Sequence, residues 1–161
     1  MELDKDAYSL GPSKTALFPF AWGLTPSAAF EFSQMAVHAG ANAGVSDPVD
    51  VSVSFVVRNT GTARSAATVQ LYYSPPIAPR AVMRYPRRLI AFDKLWLGPA
   101  ESMHGNLSFD LHDGLSRWDE RTNAFVVDRG KYKLFVAECN INGVLDDDRG
   151  CIQASVDFNV H

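Results

Sequence analysis

Between Val51 and Tyr73 the chain reads VSVSFVVRNTGTARSAATVQLYY, with apolar side chains at alternate positions. Val51, Val53, Phe55 and Val57 take one face. Ser52, Ser54 and Arg58 take the other, with Val56 the exception. Successive side chains of an extended chain point to opposite sides, so this period predicts a half-buried β-strand. A second strand follows, in which Val69, Leu71 and Tyr73 alternate with Thr68, Gln70 and Tyr72. Asn59-Thr60-Gly61 lies between them, and Asn and Gly tolerate the positive φ that a tight reversal needs. The two strands need not pair with each other, because in a sandwich such a link crosses between sheets. Either way, their apolar faces need a second layer to cover them.

The same pattern recurs along the chain. Phe30 to Val37 alternates as a first strand, and Gly40 to Pro48 is a small-residue loop. Pro75, Pro76 and Pro79 end the strand before them, since proline cannot continue a ladder. Leu89 to Leu97 is another strand, with Leu95 and Leu97 on one face and Lys94 and Trp96 on the other. Leu107, Phe109 and Leu111 alternate with Asn106, Ser108 and Asp110, and Asp113-Gly114 marks a turn. Arg117 to Glu120 and Ala124 to Val127 read as a short hairpin around Arg121-Thr122-Asn123. Tyr132, Leu134 and Val136 mark a further strand, and Ile152 to Val160 the last. No segment carries the period of an amphipathic helix. Short strands spaced by Gly, Pro and Asn turns predict an all-β, two-sheet antiparallel sandwich. Residues 1–17, with Gly11-Pro12-Ser13 among them, read as a linker or the tail of an upstream domain, and 18–161 as the sandwich. The aromatic run Phe18-Pro19-Phe20-Ala21-Trp22-Gly23-Leu24 opens that domain as an anchored loop that packs its rings on a neighbouring surface.

Composition narrows the function more than the fold. The 161 residues suffice for one domain with a real core. A 47% hydrophobic, 20% charged composition excludes a disordered or fibrous chain. The net charge of −3 argues against a nucleic-acid partner. No apolar run has the length of a membrane span, so no membrane partner is expected. The opening MELDKDAYSL lacks the apolar stretch of a signal peptide, so a secreted form would be a mature chain or a fragment.

Several of these segments, taken in order, match a known pattern. Phe18-Pro19-Phe20-Ala21-Trp22-Gly23-Leu24-Thr25-Pro26, then Phe30, stands where that pattern has Phe-Pro-Phe-Gly-x-Gly-Leu-Ser-Tyr and a following Phe. Val57-Arg58-Asn59-Thr60-Gly61 and Val69-Gln70-Leu71-Tyr72 match Val-x-Asn-Thr-Gly and Val-Gln-Leu-Tyr. Residues Leu89 to Ser102 echo Leu-x-x-Phe-x-Lys-x-x-Leu-x-Pro-Gly-Glu-Ser. Leu115-Ser116-Arg117-Trp118-Asp119 and Arg129-Gly130-Lys131-Tyr132 match the two remaining pieces. The chain thus resembles, over residues 16–137, the C-terminal fibronectin type III-like domain of family-3 glycoside hydrolases, the β-glucosidase and β-xylosidase group. It departs from the pattern at Ala21, at Pro26 and by one extra residue before Phe30.

The resemblance implies a fibronectin type III-like, immunoglobulin-like sandwich that packs on the catalytic domains of a glycosidase, in the same chain or a separate one. It also implies an extracellular or periplasmic setting. The family's catalytic carboxylates lie in upstream domains, so this chain inherits no catalytic residue and needs no cofactor. Glycoside hydrolysis requires two carboxyl groups flanking a pocket. The 18 acidic residues here sit mostly at turns and strand ends. There is no Gly-x-Ser-x-Gly, and His38, His104, His112 and His161 have no ligand spacing.

Other candidate sites concern contact. Phe18, Phe20 and Trp22 form an aromatic latch for interdomain packing. Arg80, Arg84, Arg87 and Arg88 have no acidic residue among them; they meet carboxylates on a partner domain, bind an anionic group, or are a solvated loop. Trp96 and Tyr72 are candidate stacking platforms for polysaccharide, against the plainer reading of Trp96 as a cover for a sheet edge or a domain contact. Trp22 and Trp118 are expected to be packed. Asn140, Asn142 and Asp146 to Asp148 are oxygen-rich but lack EF-hand spacing; they read as an acidic hairpin tip, with calcium binding the alternative and no metal assigned. Cys139 and Cys151 bracket that loop and form no CxxC; if their strands pair, they can bridge in an oxidising compartment. Asn106-Leu107-Ser108 is a glycosylation sequon. The alternative to an enzyme's accessory module is a stand-alone polymer-binding or adhesion module.

Overall fold

The computed structural model describes residues 29–39, 49–76, 87–138 and 152–160. Within them the alternating segments form strands β1 (Phe30–Ala39), β2 (Asp50–Asn59), β3 (Ser65–Ser74), β4 (Arg88–Leu97), β5 (Ser102–Asp110), β6 (Arg117–Asp119), β7 (Ala124–Val126), β8 (Gly130–Ala137) and β9 (Ile152–Val160). One helical turn, α1 (Leu111–Leu115), separates β5 from β6. Strands β1-β2-β5 make one sheet and β4-β3-β8-β9 the other, with β6-β7 a separate hairpin. Every pairing is antiparallel. The link after β2 therefore crosses from the first sheet to the second, as the sequence allowed. The sheets meet at both margins, β1 against β9 and β4 against β5.

The core follows from the alternation. Val51, Val53, Phe55 and Val57 of β2 face Val69, Leu71 and Tyr73 of β3 and Tyr132, Leu134 and Val136 of β8 in one buried cluster. Burying apolar surface at about 25 cal/mol per Å² supplies the main driving force for this two-layer arrangement. Gly105 stands opposite Phe55 in the β2–β5 register. A Cβ there would overlap the Phe55 ring, so the glycine gives the ring its space.

Asn59 is a buried polar residue inside this frame. Its Nδ2 donates to the carbonyls of Ala63 (2.8 Å) and Leu97 (3.2 Å), and its Oδ1 accepts from Gly61 N–H (2.9 Å). The side chain thus shapes the crossing link and pins it to the end of β4. Thr60 N–H donates to Ala29 O at 2.8 Å, which fixes the entry to β1 against the same link. Every buried polar atom of Asn59 gains a partner, and this is what makes burying an amide tolerable.

The β4–β5 connection is a turn closed by Glu101 N–H donating to Gly98 O at 3.2 Å. Pro99 occupies its second position. Ala100, the third, has φ of 59°, where the resembled pattern carries glycine. A Cβ in this left-handed region costs about 1 kcal/mol. Ala100→Gly is therefore expected to raise stability by about 0.5 kcal/mol, less than the strain relieved because glycine also loosens the unfolded chain. Urea unfolding of the two proteins checks the sign.

Leu111 does not continue the β5 alternation. Asp110 caps a helical turn instead, its Oδ1 accepting from Asp113 N–H at 2.9 Å, and Leu111 and Leu115 both turn into the core. The β6–β7 hairpin forms as expected, with Asn123 at φ 52° in its turn. A bidentate pair holds its base: Arg117 Nε donates to Asp128 Oδ2 (2.9 Å) and Nη2 to Oδ1 (3.0 Å). That hydrogen bond is also the main reason the Arg117 pKa is raised. Tyr132 Oη donates to Asp128 O at 2.9 Å, forming a tyrosine corner at the start of β8.

Candidate interaction surface

The outer faces of the two sheets differ in chemistry. On the β1-β2-β5 sheet, Ser52 and Ser54 lie beside His104, Asn106 and Ser108 of β5, and His38 Nε2 lies 3.1 Å from Ser54 Oγ. This is an ordinary solvated face. On the other sheet, the outward positions of β3 and β8 mix exposed Thr68, Lys131 and Lys133 with closed Gln70, Tyr72 and Phe135. Tyr72 is 2% exposed and Phe135 7%. The Tyr72 hydroxyl donates to Gln70 Oε1 at 2.7 Å, and Gln70 Nε2 donates to Glu138 O at 3.2 Å.

Tyr72 is therefore not an open stacking platform. The pairing shows why: β3 is a central strand, and the Tyr72 ring sits between Leu89 of β4 and Phe135 of β8. Trp96 is open, at 51% exposure, on the face shared with Lys94. Its ring carries two cations, Arg64 at 5.2 Å and Lys94 at 5.4 Å from the centroid. Two further exposed residues of β4 escaped the sequence reading, Phe92 at 72% and Leu89 at 44%. Phe92 shares parity with Trp96 and was legible. Leu89 was not, because the ladder slips between Leu71 and Tyr72 and reverses the phase of β4 beyond that point.

Among the four arginines, Arg80 and Arg84 lie outside the described residues. Arg87 stands 5.2 Å from the Phe135 ring centroid, and Lys133 stands 5.6 Å from the same ring. Arg88 is the first residue of β4, stacked 5.9 Å from the Tyr73 ring centre, and donates to Tyr73 Oη and Ser116 O, both at 3.3 Å. Trp118 was expected to be packed and is instead 48% exposed, edge-on to Phe125 at 5.2 Å. A strand of only three residues has too short a period to show which way its side chains point. Asn106 of the sequon is exposed on the polar face. Phe18, Phe20, Trp22, Cys139, Cys151 and the Asp146–Asp148 loop lie outside the described residues. Among the described residues, no three His, Cys, Asp or Glu side chains gather as a metal would require.

Burial acts on one carboxyl at the end of this face. Desolvation pushes the Glu138 pKa from 4.5 up to about 7. The folded chain then holds a proton that the unfolded chain releases first, so stability falls as pH rises from 4.5 through about 7 and stays lower above it. Glu138→Gln is expected to stabilise at pH 8 by about 1 kcal/mol, allowing for solvent screening at this partly buried site, and to have little effect at pH 4. Thermal unfolding across that range reads the crossover.

A three-on-four antiparallel sandwich with a sheet-crossing second link and a tyrosine corner defines a fibronectin type III-type fold. Comparison with known proteins agrees: the family of fibronectin type III-like domains matches residues 67–139. A probable β-glucosidase I of Aspergillus fumigatus is 32% identical over 122 residues, covering 74% of this chain and 14% of that protein. The crystal structure of a GH3 β-glucosidase of Bifidobacterium adolescentis superposes with a TM-score of 0.68 at 29% identity, over 88% of this chain and 18% of the other. A Kluyveromyces marxianus β-glucosidase gives 0.69 at 26%, over 89% and 16%. The chain belongs to the fibronectin type III-like domains of family-3 glycoside hydrolases. It spans about 14% of the length of the first relatives it matches.

Proposed function

We propose that this chain is a non-catalytic module that packs on the catalytic domains of a family-3 β-glycosidase, stabilising and orienting them. The observation behind this reading is the pairing of a complete sandwich with a match to about one seventh of each relative's length. The rest of such an enzyme must hold the reaction chemistry, because glycoside hydrolysis needs two carboxyl groups set about a pocket. Phe18, Phe20 and Trp22 serve as an aromatic latch in this reading, and Arg80, Arg84 and Arg87 as polar contacts. The sequon at Asn106 would carry a glycan on the polar sheet, away from the apolar one, and Cys139 with Cys151 would close a bridge in a secreted form.

Trp96 supports a second reading, a polysaccharide-stacking surface; Tyr72 is buried, and Phe92, exposed on the same face, is the second ring open there. The test uses a family-3 β-glucosidase of the source organism with its own fibronectin-like domain deleted. Adding the 161-residue chain is expected to yield a complex on gel filtration and to raise the thermal midpoint of the truncated enzyme by several degrees. No complex and an unchanged midpoint would remove the module reading.

A further inference from the structure

We propose that the outer face of β4, formed by Leu89, Phe92 and Trp96 and rimmed by Arg64 and Lys94, is the surface through which the domain docks. Its partner is an apolar protein surface edged with carboxylates on the catalytic portion of the glycosidase. This inference rests on the module reading above and adds to it a face and a partner chemistry.

The two outer faces set the choice. The β1-β2-β5 sheet presents serines, histidines and Asn106 to solvent, as a sheet facing water should. The other sheet exposes Thr68, Lys131 and Lys133 on its outward side, buries Tyr72 and Phe135, and leaves three large apolar side chains, Leu89, Phe92 and Trp96, open along β4. Three large exposed apolar side chains along one edge strand, with Lys94 between Phe92 and Trp96, mark a contact surface rather than ordinary scatter.

Charge names the partner. The chain is net negative at −3, yet Arg64, Arg87, Lys94, Lys131 and Lys133 gather on or beside this one face. Lys131 is answered by Asp157 at 2.7 Å. Among the described residues, Arg64, Lys94 and Lys133 have no carboxylate within 4.0 Å; they lie over aromatic rings instead. A cation held at a ring keeps its N–H donors directed outward, ready for a carboxylate, and guanidinium in particular pairs carboxylates in fixed geometry. A carboxylate-edged surface therefore complements both the rim and the apolar floor.

A polysaccharide fits this face less well. Leu89 offers no stacking plane, and sugar hydroxyls need hydrogen-bonding side chains beside the platform. Gln70 and Tyr72 are already bonded to each other and to Glu138 O, and an exposed neutral hydroxyl on this face is that of Thr68, opposite Lys94.

The experiment titrates the truncated β-glucosidase into four forms of this chain by calorimetry: wild type, Phe92→Ser/Trp96→Ser, Arg64→Glu/Lys94→Glu, and Asn106→Glu/Ser108→Glu on the opposite sheet. All substituted positions are exposed, and circular dichroism melts confirm folding. Removal of the two rings is expected to weaken binding at least about 30-fold, as for central aromatic anchors. Charge reversal is expected to weaken it about tenfold and to flatten its salt dependence. The opposite-sheet variant should stay within about twofold of wild type, as energetically neutral surface does. If wild type binds and the β4 variants bind equally, or the opposite-sheet variant alone fails, the docking face is wrong while the module reading stands. If wild type does not bind, the module reading fails and takes this proposal with it. A pull-down on cellulose and on polygalacturonate completes the test: retention there that depends on Phe92 and Trp96, without binding to the enzyme, makes the face a polymer site and overturns the proposal.

Discussion

Gly105→Val is expected to destabilise the domain by about 4 kcal/mol, a large part of the 5–15 kcal/mol that holds a typical domain folded. The register places residue 105 opposite Phe55, whose ring is 1% exposed and fills the space a Cβ would need. Neither partner can easily move. Phe55 packs in the core of β2, with the Phe32 ring 5.9 Å away, while Gly105 is locked into the β2–β5 ladder. The smaller change Gly105→Ala is expected to cost about 2 kcal/mol, and Phe55→Leu about 1 kcal/mol on its own. The double variant Gly105→Ala/Phe55→Leu should cost less than the sum, because the new methyl enters volume the ring has vacated. Urea unfolding of this four-member cycle reads the coupling directly. Simple additivity would mean that Gly105 is needed for some reason other than the ring.

Asn59→Ala is expected to cost about 3 kcal/mol. The side chain is fully buried and satisfies three backbone groups, the carbonyls of Ala63 and Leu97 and the N–H of Gly61. Truncation leaves those groups without their partner and opens a small cavity, and each buried unsatisfied group costs about 1–3 kcal/mol. Water entry at the part-exposed Ala63 side offsets some of this. Asn59→Asp separates hydrogen bonding from size. It keeps the acceptor for Gly61 but faces two carbonyl oxygens with a carboxylate, so it should be worse than alanine above pH 6 and recover on acidification. Equal effects of the two changes at every pH would place the loss in packing alone.

Much of the architecture was written in the period of the chain. The alternation at Val51, Val53, Phe55 and Val57 is that of a strand with one side in the core, and the Asn-Thr-Gly link crosses between sheets as such a link can. Local chemistry that competes with the period was harder to read. Leu111 keeps the parity of Leu107 and Phe109, yet Asp110 caps a helical turn there, because one side-chain oxygen on the Asp113 amide outweighs continuation of a ladder at its end. At Ala100 the sequence carries a residue ill-suited to its backbone angle, and the resemblance obscured it by supplying the glycine pattern.

The interaction surface was legible only in part. Trp96 was read correctly as outward, and parity alone assigns Phe92 to the same side. Tyr72 has the right parity but the wrong exposure, since parity gives the face and not the neighbours that cover it. Leu89 needed the slip in the β3–β4 ladder, which depends on how two distant segments pair. The cations over Trp96 come from Arg64, in the sheet-crossing link, and Lys94, in β4. Their convergence is a property of the fold and not of either segment.

The account turns on whether this sandwich works by supporting chemistry held elsewhere. The direct measurement is turnover of an aryl β-glucoside by three samples: the purified chain, the truncated β-glucosidase, and the two together after incubation at elevated temperature. The account predicts no turnover above buffer from the chain alone and a longer active lifetime for the truncated enzyme when the chain is present. Hydrolysis by the chain unaided, or an enzyme lifetime indifferent to it, would contradict the account.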